Sequence, residues 1–217
     1  MKNDADLKAD VIKELAWDPL VPVARVVVEV AAGVVKLTGN LDSYMEKVAL
    51  RRAVERVAGV RAIEQELVVE LPDEHARSDT DLAAAVRRAL SQNAAVPHQR
   101  VRVTVENGWV MLYGELNWDY QRRSLERMIE PLKGVVGITD HIALNPLAAP
   151  EDLAARIEDA LRRQALREAE RMEVLVTGSE VTLRGSVHSA AERIAAEGAT
   201  WLAPGVRQVN NELMVEV

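Results

Sequence analysis

The chain has 217 residues, 48% hydrophobic and 28% charged, a globular composition that allows one to three domains. Its net charge of −7 disfavours general nucleic-acid binding, and the absence of cysteine excludes disulfides and thiolate metal sites. With 3% aromatic residues and no Phe, Val, Leu, Ile and Ala must fill the cores.

The N-terminus reads Met1-Lys2-Asn3-Asp4-Ala5-Asp6 and has no apolar h-region, so no signal peptide is expected. A cytoplasmic location is the default, and a periplasmic one is expected if a leader has been removed. No apolar run reaches the length of a membrane span. Leu7, Val11 and Leu15 stand at i, i+4 and i+8 and predict one apolar helix stripe, with Asp6 suited to the helix start. Val26, Val28 and Val30 alternate as a β-strand does, and Gly33 marks a turn into Val35-Lys36-Leu37-Thr38-Gly39. A second helix is predicted over roughly 43–57, and Ile63, Leu67 and Val69 mark a last strand.

The same layout then returns twice. Leu82, Val86 and Leu90 repeat the helix stripe, as do Leu153, Ile157 and Leu161. Val101-Val103-Val105 and Met172-Val174-Val176 repeat the first strand; Asn107-Gly108 and Gly178-Ser179 repeat the turn. Val110-Met111-Leu112-Tyr113-Gly114 and Val181-Thr182-Leu183-Arg184-Gly185 repeat the second strand, and the three glycines suit a backbone exit that ends it. Gly59-Val60, Gly134-Val135 and Gly205-Val206 each follow 20 residues later, and second helices are predicted over 118–132 and 189–203. Ile138, Ile142 and Leu144, then Val209, Leu213 and Val215, close the copies.

The sequence therefore predicts an α+β protein of three tandem αββαβ modules, at residues 5–71, 80–145 and 151–217. Each has two helices on one face of a three-stranded mixed sheet. The second helix should carry a right-handed parallel crossover between the hairpin and the last strand. The linkers Pro72–Asp79 and Asn145–Pro150 are Pro-bearing and non-periodic.

The Gly-x-Val-x-Leu-x-Gly strand, a helix, Gly-Val and a closing Val-x-Asn-x-Leu-x-Val resemble the BON domain, found in bacterial osmotic-shock and nodulation proteins. Gly33–Gly39 and Val209–Val215 carry the likeness best. Gln65 and Asp140 stand where copy three has Asn211, and Ser179 stands where copy one has Gly33. The resemblance implies a non-catalytic binding protein without cofactor, linked to osmotic or other stress and acting at a phospholipid surface. A protein–protein interaction scaffold is the alternative it leaves, and potassium sensing a further one.

The residues themselves offer no catalytic or metal constellation. His75, His98, His141 and His188 share no ligand spacing and suit solvated positions. Cations recur at Arg25, Arg100 and Arg171 and at Lys47, Arg122 and Arg193, as ordinary surface charges or as anion contacts. Residues 1–75 carry 10 basic and 14 acidic groups, 76–148 carry 9 and 8, and 149–217 carry 8 and 12. The segment that is not acidic also holds the candidate binding patch, Trp118, Tyr120, Arg122, Arg123 and Arg127, with Trp109 nearby. The other copies have Ser43 and Ser189 in place of Trp118, so the fold does not need the ring there. Two readings stand open: Trp118 packs against a neighbouring module, or the patch meets a lipid surface or a protein partner.

Overall fold

A computed structural model describes residues 3–145, 150–163 and 172–216. The first module runs α1 (Asp4–Trp17), β1 (Val26–Ala31), β2 (Val34–Leu41), α2 (Tyr44–Glu55) and β3 (Ala62–Val69). The second runs α3 (Asp79–Gln92), β4 (Val101–Glu106), β5 (Trp109–Leu116), α4 (Asp119–Ile129) and β6 (Gly137–Leu144). The third runs α5 (Leu153–Arg163), β7 (Met172–Thr177), β8 (Glu180–Val187), α6 (Ala190–Trp201) and β9 (Gln208–Val215). Each module keeps its own three-stranded sheet in sequence order. The hairpin is antiparallel, and the last strand lies parallel to the central one.

The helix stripes are the cores. Leu7, Val11 and Leu15 are buried against Val35, Leu37 and Leu50 in module one. Leu82, Val86 and Leu90 meet Val110, Leu112 and Leu125 in module two, and Leu153, Ile157 and Leu161 meet Val181, Leu183 and Ala196 in module three. Such small aliphatic cores bury a modest share of the chain's surface.

The first helices begin slightly earlier than Asp6 and Asp81 suggest. The caps are Asn3 and Ser78, whose side chains accept from the N–H of Asp6 and Asp81. Asp4 and Asp79 also reach the sheet: their carboxylates accept the two N–H groups of the hairpin turn, at Ala32 and Gly33 and at Asn107 and Gly108. Both turn residues have positive φ (50° and 79°; 50° and 76°), as a type I′ turn requires. The helix start thereby holds the turn that forms the sheet.

The glycines of the second strand are not its end. The strand continues two residues, to Leu41, Leu116 and Val187. A Cβ on Gly39 would sit 2.2 Å from the Arg25 carbonyl oxygen, and one on Gly114 2.0 Å from that of Arg100. They are kept for close backbone approach to the short turn that enters the first strand.

Candidate interaction surface

The three second helices converge. Positions 51, 52 and 55 of the first copy correspond to 126, 127 and 130 of the second and 197, 198 and 201 of the third. All nine line one cleft of about 460 Å³. A further cleft between modules two and three is lined by Arg122, Trp201, Arg207 and Val209. Another, between one and three, is lined by Arg51, Glu55, Ile63, Arg193 and Ile194. Each module presents the early part of its second helix to the end of the next one's, and the third faces the first in the same sense.

The contacts across these seams are specific. Arg52 donates to both carboxylate oxygens of Glu130, at 3.1 and 2.9 Å, and Glu130 is buried. Tyr44 packs against the core of module two. The Arg122 guanidinium lies 4.9 Å from the centre of the Trp201 ring, and Trp201 packs against the cores of both modules two and three. Trp201 was not singled out by the sequence, because it closes an otherwise ordinary amphipathic helix.

Helix α4 explains where the predicted patch residues go. Ser43 and Ser189 cap α2 and α6 by accepting from the N–H of Glu46 and Glu192. Glu46 and Glu192 in turn accept from the N–H groups of Asp42 and His188, one residue before each cap. In α4 the cap position is Trp118, which makes no such bond. The next residue, Asp119, has a side chain only 1% exposed, and it forms ion pairs with Arg122 and Arg123. Arg122 also faces Asp140 at 3.7 Å. Trp118 and Tyr120 stack with ring centres 6.5 Å apart, Tyr120 half exposed. Arg127 lines the central cleft and stays exposed. The five residues thus divide: Tyr120 is exposed and stacks on a half-buried Trp118, two arginines turn to Asp119 and the seam, and the fifth looks into the cleft.

Burial shapes the electrostatics of the seam. The carboxyls of Glu55, Glu126 and Asp140 are all pushed above their ordinary range, chiefly by desolvation. Away from the seam, the Arg25 guanidinium beside Asp42 holds that carboxyl below its ordinary range. Arg100 reaches Asn117 at 3.4 Å, whereas Arg171 lies outside the described residues. Lys47 donates to the Leu67 carbonyl at 3.4 Å. Among the described residues no group of three His, Cys, Asp or Glu side chains is placed to hold a metal ion. No described helix is long and apolar enough to cross a membrane.

The family model for the BON domain matches residues 3–70, 78–146 and 150–216. The chain belongs to the BON domain family. A search of curated proteins finds no match. Among solved structures the chain is similar to CdsD, a structural protein of the type III secretion system of Chlamydia trachomatis. The identity is 15%, with 97% of this chain and 92% of that one covered and a TM-score of 0.27. It is similar also to the C-terminal domain of CdsD, at 15% identity, complete coverage of both chains and a TM-score of 0.28. At such scores neither likeness bears on arrangement or function here. The BON family itself points to a non-enzymatic role.

Proposed function

We propose that this BON protein is a non-catalytic interaction scaffold in which three modules, locked by their second helices, present their outer faces to a protein partner. The observation that carries this reading is the engagement of Arg122 and Arg123 by buried Asp119, with Arg122 also held over Trp201. Two arginines of the strongest cationic cluster of the sequence are thereby engaged within the molecule, which leaves Arg127 as its exposed cation. A link to osmotic or other stress accords with the family. It would show as a growth defect of a deletion strain at raised osmolarity that the wild-type gene repairs.

The second reading, a phospholipid surface, is favoured by one feature: an exposed Tyr120 stacked on half-buried Trp118, with Arg127 exposed nearby. Co-sedimentation with phosphatidylglycerol or cardiolipin vesicles, at about 0.01 M and about 0.15 M salt, separates the two. The scaffold reading expects no salt-sensitive vesicle binding, and expects in-cell photo-crosslinking from the outer sheet faces to yield discrete protein adducts. Vesicle binding that weakens with salt and disappears in Trp118→Ala with Arg127→Glu would replace it with the lipid reading.

A further inference from the structure

The two helices of each module cover one face of its sheet, and the other face of module two differs from its counterparts. Along β5, Trp109, Met111 and Tyr113 point to that outer face, and β4 and β6 add Arg102 and His141 in register with Tyr113. The Arg102 guanidinium lies 5.2 Å from the Tyr113 ring centre. The Tyr113 and His141 rings stack with centres 4.9 Å apart and planes within 15°. The Trp109 ring lies against Gly137, where an added Cβ would come within 2.4 Å of it, and 46% of Trp109 stays exposed.

The fold does not require this. At the positions of Trp109, Met111, Tyr113 and His141, module one has Val34, Lys36, Thr38 and Glu66. Module three has Glu180, Thr182, Arg184 and Glu212. Those faces are closed by cross-strand ion pairs, Lys36 with Glu66 at 2.8 Å and Arg184 with Glu212 at 2.7 Å. In module two, His141 replaces the glutamate. Among the described residues, Arg102 forms no ion pair, although the same face carries Glu106 in register with Trp109 and Glu115 two residues beyond Tyr113. A cation held over an aromatic ring and left without a counter-ion is complementary to an acidic group from outside.

We propose that the outer face of β4, β5 and β6 docks an acidic linear peptide segment of a partner protein, which deepens and rests on the scaffold reading. An apolar or prolyl side chain would lie on Trp109 and Met111, and a carboxylate would meet Arg102 beside Tyr113 and His141. Trp109 and Tyr113 are four residues apart on one strand, about 13 Å, so the anchor and the acid are about four residues apart in an extended peptide.

The test pans a phage-displayed random dodecapeptide library on the full chain and measures the enriched peptides by fluorescence anisotropy. Enrichment of Asp or Glu about four residues from Pro, Leu or an aromatic residue is expected. Affinity should fall at least tenfold in Trp109→Val with Tyr113→Thr, residues that the same strand carries in module one, and in Arg102→Glu. It should not change in Arg87→Ala, an exposed position on α3. Peptides that bind these variants as well as wild type overturn the assignment of this face while leaving the scaffold reading intact. A library from which nothing is enriched overturns the peptide proposal, and the crosslinking experiment then judges the scaffold reading separately. Oligouridylate bound by wild type and lost in the same variants would replace the peptide with a single-stranded nucleic acid.

Discussion

A single methyl group measures how tightly the entry to each hairpin is built. At Gly114 it would meet a backbone carbonyl oxygen at 2.0 Å, with φ at 143°. Neither partner is a side chain that can swing aside. Gly114→Ala is therefore expected to cost about 3 kcal/mol or more, read as a lowered urea midpoint. Leu112, wholly buried two residues earlier, should cost about 2–5 kcal/mol when cut to Ala, whereas His98→Ala should stay within about 0.5 kcal/mol. A reversed ranking of those midpoints would refute the core assignment. Such core positions were legible in the sequence because alternation and helix spacing report which way a side chain faces. The reason for the glycine was not, since the carbonyl it approaches lies 14 residues earlier in sequence. Trp118 was legible as an oddity at a cap position. The sequence did not reveal that Asp119 beside it is the buried partner of two arginines.

Helix α4 carries the electrostatic weight of the seam. Asp119→Asn would leave Arg122 and Arg123 without their shared carboxylate. The expected loss is about 2 kcal/mol, below the roughly 3–5 of a fully buried pair, because both arginines keep one side in water. Chemical denaturation followed by the Trp signal would show it, and an unchanged midpoint would rule the triad out as a stabilising element. The same helix gives a pH signature. Glu126 has its pKa raised by burial, so the folded protein holds that proton more tightly than the unfolded chain does. Its contribution is full below the unfolded value, about 4.3, and is lost as pH rises through the higher folded value. Glu55 and Asp140 act in the same sense. Wild type should thus gain stability relative to Glu126→Gln as pH falls from neutral toward the ordinary carboxylate range. Asp42, lowered by Arg25, works in the opposite sense, its contribution being lost as pH falls through its folded value, and it is unaffected by the Glu126 substitution. Parallel pH profiles for the two proteins would contradict the burial of Glu126.

Across the whole molecule, the modules were legible and their assembly was not. Repetition at fixed spacing exposes what every copy shares, whereas the seams use positions at which the copies differ. Equivalent positions hold Glu55, Glu130 and Trp201, and no periodicity marks them as neighbours across modules. Trp201 is the test of coupling, because it packs against two cores at once. Trp201→Ala should lower the melting temperature and broaden or split the calorimetric transition, as modules two and three lose their shared contact. A single sharp transition at the wild-type temperature would show that the modules unfold independently of that ring.

The seams have one direction: the early turns of one second helix meet the end of the next, and after three copies the series returns to its start. A heterologous contact that closes after three steps is the geometry of a cyclic homotrimer, here carried by one polypeptide. Covalent fusion frees each contact from having to be identical. One seam sets Tyr44 against the next core and pairs an arginine with a glutamate between the helix ends, another holds an arginine on a tryptophan, and one outer face has changed without altering the other two. Chain order is then less important than neighbourhood, and a circular permutant beginning at the second module should close the same ring.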